Sequence, residues 1–238
     1  YLDAANVLSY ASPGALTWTD LSGSAYHGTI SGTPTYDATN KAIIFSGDDY
    51  VTLPSGFSNF SNGISIATKA NLGTADNWER IIDFGGPGAA GVLQPQVNNI
   101  LFARWGTSND LAYQLYNTTS AINYQGSGAI TDNTFANYAA VQNASGVTVY
   151  KNGSTVSNAL SATWAVPDNE IRTSNFIGKS NWVADSLLKG SIGMVAIYNR
   201  TLSSSEWSAL NTQINRDATL AASTLTVSGS GSTTFSGA

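Results

Sequence analysis

Short runs of β-forming residues, each closed by a turn signal, recur along the whole chain, and this punctuation constrains the fold more than any other feature. The runs are Ala42–Phe45, Tyr50–Leu53, Ile64–Thr68, Arg80–Phe84, Ile100–Trp105, Leu111–Tyr116, Ala136–Gln142, Val147–Tyr150, Phe176–Gly178 and Ser191–Tyr198. Strands this short and this numerous predict an all-β sandwich or barrel. The sharpest local signal lies between Val147 and Val156, where Asn152-Gly153 between alternating residues predicts a two-residue hairpin turn with positive φ. Composition agrees with this, because 30 Ser, 25 Thr, 22 Asn and 23 Gly make up 100 of the 238 residues. Thr suits pleated surfaces, and Asn, Gly and Ser suit turns, so all-helical folds are excluded. One helix is expected, from Ser203 to Ile214. Ser203 and Glu206 have capping-box spacing, and Trp207, Leu210 and Ile214 recur at helical intervals, a stripe that should lay the helix on the sandwich.

The charge balance narrows the partners. Ten Lys and Arg against 15 Asp and Glu give a net charge of −5 and a pI near 4.6. Nucleic acid is excluded as a partner, since phosphate binding needs clustered cations. No apolar run approaches the roughly 20 residues that span a bilayer, so no membrane insertion is expected. The absence of Cys removes thiolate metal sites, disulfides and thiol catalysis. Tyr1, with neither an initiator Met nor a signal-like stretch, is expected to begin a domain excised from a longer chain. A boundary is expected near Asp217, giving one domain over 1–217. The remaining 218–238 reads as a Gly/Ser/Thr-rich linker or, since Leu225 and Val227 alternate with Thr and Ser, as the start of a further β-repeat region.

Three stretches together resemble the laminin-G-like, concanavalin A-type jelly-roll superfamily. Trp18-Thr-Asp20-Leu-Ser22-Gly23 through His27-Gly28-Thr29-Ile30, followed by Phe45-Ser-Gly47-Asp48-Asp49-Tyr50-Val51, is similar to the opening of such domains. Trp78-Glu79-Arg80-Ile81-Ile82-Asp83-Phe84-Gly85 is similar to their central strand. Phe176-Ile177-Gly178-Lys179-Ser180, then Lys189 through Tyr198 and on to Ser203, matches their ending and its hand-over to a capped helix. The resemblance covers roughly residues 1–217. It implies two packed antiparallel sheets, one concave, with ligands met at the concave face or its rim. One departure is visible, because Ile192-Gly193-Met194 stands where the family often carries Ile-Asp-Glu, which weakens an inherited calcium site. The tail from Ser223 to Ala238 resembles the start of β-strand repeats in large autotransporter-type adhesins, a hint of surface display.

The residues themselves offer little catalytic equipment. A glycoside hydrolase needs two carboxyl groups about 5 to 9.5 Å apart. Glu79, Glu170 and Glu206 are the only Glu residues, and Glu79 and Asp83 share a strand face, but with their backbones roughly 13 Å apart. Asp83 is instead available to Arg80 or to a turn. His27 is the only histidine, no Gly-x-Ser-x-Gly elbow occurs, and the turn from Ser22 to Gly28 gives His27 a packing or hydrogen-bonding role. Asp48 and Asp49 support two readings: oxygen ligands of a structural calcium ion, together with backbone carbonyls, or caps of a tight turn before Tyr50. The five Asn-x-Ser/Thr sequons, at Asn59, Asn117, Asn143, Asn152 and Asn199, carry no information in a chain this rich in those residues. Trp105, beside Arg104, Asn109 and Asp110, and Trp182, beside Asn181, sit at expected strand ends, where a ring can stack on a sugar and polar neighbours can bond its hydroxyls. Trp18, Trp78 and Trp207 read as core or helix anchors.

The sequence thus predicts an antiparallel two-sheet jelly-roll sandwich with one short C-terminal helix. Its expected role is that of a non-catalytic, extracellular or cell-surface binding module in a larger adhesin-like chain. The expected partner is a glycan or a surface protein. The alternatives are a structural or protein-contact module of a filament, matrix or virion and, more remotely, a glycoside hydrolase.

Overall fold

The computed structural model describes residues 1–91, 97–117, 121–156, 158–159 and 165–220. In chain order the strands begin with β1 (Leu2–Asp3), β2 (Thr17–Trp18), β3 (Gly28–Ser31), β4 (Thr35–Asp37), β5 (Ala42–Ser46) and β6 (Tyr50–Leu53). There follow β7 (Ile64–Leu72), β8 (Arg80–Gly85), β9 (Ile100–Arg104), β10 (Leu111–Tyr116), β11 (Ala121–Gly126) and β12 (Thr134–Asn143). The last are β13 (Gly146–Lys151), β14 (Ser154–Thr155), β15 (Asn158–Ala159), β16 (Ser174–Ile177) and β17 (Lys189–Tyr198), before one helix, α1 (Ser204–Leu220). One sheet has the order β14-β13-β12-β7-β17-β5-β4, with β1 added against β17. The other runs β15-β11-β10-β9-β8-β16-β6-β3-β2. The chain is therefore the expected all-β antiparallel sandwich with one helix near its C-terminus.

Each expected run falls on a strand, and the physical signals behind them hold. Asn152 and Gly153 have φ of 51° and 87°, and Lys151 pairs directly with Ser154 across them, the two-residue turn that Asn-Gly favours. Ile64, Ile66, Ala70 and Leu72 of β7 share one core with Ile82, Phe84, Phe102 and Tyr113 of the opposite sheet. Their alternation along the strands is what turns them to the same side.

The other side of β7 explains the helix. Ala139, Ala67 and Ala196 pair in a row across β12, β7 and β17. Three methyl groups in line make a flat floor on which α1 lays Trp207 and Ile214, with Leu210 packed beside them. Ser203 caps the helix, since its Oγ accepts from the Glu206 amide at 3.2 Å while a Glu206 carboxylate oxygen accepts from the Ser203 amide at 2.8 Å. The helix runs past Ile214 to Leu220, so the boundary expected at Asp217 falls inside it. Residues 221–238, including Leu225 and Val227, lie outside the described residues. The Gly193 position also finds its reason, because β17 bulges between Ile192 and Met194. A Cβ there would lie 3.1 Å from Lys69 Cδ and 3.2 Å from the Lys41 carbonyl, so any side chain at this position would have to displace its neighbours by a few tenths of an ångström.

Candidate functional site

With α1 on the outer face of the first sheet, the outer face of the second is the one to search. At its centre Ala103 of β9 pairs with Ala112 of β10, beside Leu101, and all three are fully buried. Four half-buried rings roof them: Trp78, Trp105, Tyr116 and Trp182. Small side chains below let flat rings settle above. Trp105 lies 5.1 Å from Trp78, and Tyr116 lies 5.7 Å from Trp182, between ring centroids. The two pairs are joined by Arg80, whose guanidinium carbon is 5.4 Å from the Trp78 ring and 5.3 Å from that of Trp182. Stacking of this kind is worth about 0.5 to 2 kcal/mol per ring and fixes the rings as a line.

Backbone irregularity places these groups. β8 shifts register against β9 between Arg80 and Ile82, so Arg80 opposes Ala103 and Asp83 opposes Leu101, both toward the outer face. Trp78 holds φ at 53° and its N–H donates to the Gly106 carbonyl at 2.9 Å, which turns the ring toward Trp105. Arg80 donates to the Trp78 carbonyl at 2.7 Å, to Asp185 at 2.6 Å and to Asp83 at 3.3 Å. Asp83 also accepts from the Asn99 amide group at 2.9 Å and from the Asn181 side chain and backbone at 2.8 and 3.0 Å. Burial pushes the Asp185 carboxyl above its usual range, against the pull of Arg80 and Ser180. The rings thus rest on a frame in which Arg80, Asp83, Asp185, Asn99 and Asn181 bond one another.

The structure brings Trp105 and Trp182, the two rings singled out from sequence, into one cluster. Asn109 and Asp110 lie on the rim beside Trp105, at the β9–β10 turn. Asn109 is exposed, while Asp110 accepts from Gln125 at 2.6 Å and from the Gly128 amide at 2.7 Å, donors that hold its carboxyl below the usual range. Next to the rings, Gln114 pairs with Asn123 and Ala112 with Gln125, adding side-chain amides to the same face.

Other expectations are corrected. Arg104 is fully buried and bonds Glu79, Asn109, Asp132 and the Ser108 and Gly73 carbonyls, so it fastens the interior and offers a ligand nothing. Asn181, also fully buried, holds Asp83 from beneath the rings. Trp78 belongs to the site and is no core anchor, whereas Trp18 and Trp207 are buried as expected. Glu79 and Asp83 do not share a face. The bulge sends Glu79 inward to Arg104 at 3.0 Å and to the Lys189 amide at 2.9 Å, leaving Ile81 in the core between them. His27 accepts the Asp20 amide at 3.1 Å, the hydrogen-bonding role expected of it.

Asp49 takes the turn-capping role, while Asp48 is exposed and accepts from the Ser46 hydroxyl. Asp49 is fully buried and its oxygens accept from the Thr33 amide at 2.6 Å, the Ser46 amide at 3.0 Å and the Ser46 hydroxyl at 2.7 Å. Donors surround it where a cation would require further acceptors, and this is the turn-capping arrangement. Among the described residues no three acidic or histidine side chains come together to hold a metal ion. Trp78 and Arg80 escaped the sequence reading as site residues because the bulge and the left-handed Trp78 bring them to the rings, and Tyr116 because its partner Trp182 is distant in sequence. A separate cleft of about 410 Å³ opens at the sandwich edge near Tyr26, Phe57 and Tyr198, where Asp20 is bonded to Ser22 and the Tyr26 amide.

Similarity to known proteins agrees with this fold. Domain 4 of AbnA, an extracellular GH43 arabinanase of Geobacillus stearothermophilus solved with arabinotriose, superposes with a TM-score of 0.60 at 19% identity, over 80% of this chain and 91% of that one. The CBM40 module of the Ruminococcus gnavus IT-sialidase, solved with α2,3 sialyllactose, gives 0.54 at 13% identity, over 71% and 96%. The binding domain of botulinum neurotoxin DC, in complex with rat synaptotagmin II, gives 0.61 at 15%, over 82% of this chain and 48% of that one. At such identities the likeness is one of fold. No curated protein matches the chain by sequence. The family model of the concanavalin A-like lectin and glucanase superfamily, in its laminin-G form, matches residues 45–206, more than half of the chain, and with the two-sheet sandwich this establishes that the chain belongs to that superfamily.

Proposed function

We propose that the chain is a non-catalytic carbohydrate-binding module and that a glycan stacks on the exposed sides of Trp105 and Trp182. The observation that carries this reading is the line of half-buried rings on the sheet face that α1 leaves free, bordered by Asn109, Asp110, Asn123 and Gln125. Rings supply stacking for the apolar face of a sugar, and the amides and carboxylate supply its hydroxyl partners. Asp83 and Asp185 are both paired with Arg80, and Asp110 on the rim is held by Gln125 and the Gly128 amide, so none stands free as a nucleophile or proton donor. Two similar structures were solved with oligosaccharides, which supports a glycan as ligand. Display outside the cell within a longer, adhesin-like chain is part of the proposal and rests on the character of the tail.

Titration with arabinotriose and α2,3-sialyllactose, followed by a wider glycan array, tests the reading. Binding that disappears in both Trp105→Ala and Trp182→Ala while the fold persists supports it. A protein-contact role is the second reading, favoured by the likeness to a toxin domain solved with a protein receptor. Ordered self-association or protein binding with no glycan bound would establish that reading instead.

A further inference from the structure

One cation on the same sheet face is unused by the frame beneath the rings. Lys179 follows β16, and its Nζ lies 4.1 Å from the Tyr50 ring centroid and 4.6 Å from that of Phe176. Both rings face outward. Phe176 pairs with Asp83 on one side and Thr52 on the other, Tyr50 stands two residues from Thr52, and the rings meet edge to face at 6.0 Å. The quadrupoles of two rings therefore hold the ammonium in place, at less entropic cost than a free lysine tip would later incur on binding.

Its lack of an oxygen partner sets Lys179 apart. Arg80, Arg104 and Arg172 are buried and bonded to carboxylates or carbonyls. Lys69 donates to the Asn40 carbonyl, Lys151 to Thr131, Lys189 to Asp76 and Arg200 to Glu206. Among the described side chains only Lys41 and Lys179 have no such bond, and Lys41 lies at the β4–β5 turn of the other sheet. Asp83 and Asp185 are both paired with Arg80, which offsets one of their two charges, so Lys179 is the cation left on this face to meet an incoming anion. Phe176 neighbours Asp83, and Asp83 neighbours Leu101 beneath the aromatic line. Two strand spacings, about 10 Å, thus separate the lysine platform from the floor of the rings.

We infer that Lys179 selects acidic glycans: its ammonium binds the carboxylate of a uronate or sialate residue while a neighbouring sugar stacks on Trp182 or Trp105. This rests on the glycan-binding reading and adds a charge requirement to it. The test is calorimetric titration with tri-galacturonate, its fully methyl-esterified form, α2,3-sialyllactose and lactose, at low and raised salt. Tri-galacturonate or sialyllactose should bind at least about tenfold more tightly than its neutral counterpart, with the advantage shrinking as salt rises. Lys179→Gln should remove that advantage and leave neutral binding and the melting temperature in place, while Lys179→Arg should retain it. The acid that binds, uronate or sialate, identifies the source of the carboxylate. Equal binding of acidic and neutral forms, or an acid preference that survives Lys179→Gln, overturns this inference and leaves the module a glycan binder. Binding of none of the four sugars, nor of any glycan on the array, overturns both.

Discussion

Asp49 is buried beneath a turn, and removing its carboxylate strands the amides of Thr33 and Ser46 there. Asp49→Ala should therefore cost about 2 to 4 kcal/mol, measured by denaturant unfolding. Burial pushes this carboxyl up, but the Ser46 and Thr33 donors outweigh it and hold the folded value below 3.8. A depressed carboxylate stabilises in full above its unfolded value, near 3.9. That contribution is lost as pH falls through the folded value, so Asp49→Asn should flatten the acid limb of the stability curve below about pH 4. Since the donors are protein groups, a chelator should leave the wild-type melting temperature unchanged; a drop would support the calcium reading. Arg104 makes the contrast with a surface residue. Breaking its buried pair with Glu79 leaves a charge stranded, and Arg104→Ala should cost about 3 to 5 kcal/mol, so any loss of binding in that variant would come from unfolding.

At the scale of elements, legibility followed how local the signal was. The Asn152-Gly153 hairpin and the Ser203–Glu206 box are short-range chemistry and appear where expected. β1 to β4 and β11 were missed because they are short or carry Asn, Gly and Thr, residues that read as turns until neighbouring strands pair with them. Trp105 and Trp182 were legible as rings at strand ends. Their partners were not, because the β8 bulge reverses the faces of Glu79 and Arg80, and no count of residues from sequence registers an unpaired one. The helix supplies the test at this scale. Trp207 is nearly fully buried on the Ala67–Ala139–Ala196 floor, so Trp207→Ala should cost about 3 to 5 kcal/mol, and Ser203→Ala about 1 kcal/mol through the lost cap. An unchanged melting temperature for Trp207→Ala would mean that α1 does not dock.

In the whole molecule one core separates two outer faces of opposite use, one closed by α1 and the other finished by aromatic rings. The faces share no side chain, so effects on them should add. Trp207→Ala should lower stability without changing sugar affinity. Trp182→Ala should abolish binding at a stability cost of about 1 to 2 kcal/mol, since its half-buried ring meets Arg80 and Tyr116 and covers only small side chains and Leu101 below. A shallow platform of this kind gives weak single-site affinity, because ordering a flexible glycan offsets much of the stacking. Dissociation constants should fall between about 1 μM and 1 mM, equivalent to about 8 to 4 kcal/mol. Tight binding to a polysaccharide then depends on repetition. Two copies joined by a flexible linker that spans neighbouring sugars should bind an immobilised polysaccharide about 100-fold or more tightly than one copy, and soluble trisaccharide no more tightly. Joining a wild-type copy to a Trp182→Ala copy should return the affinity to that of a single module. If that mixed pair kept the full gain, the rings would not be the sites that engage the polysaccharide.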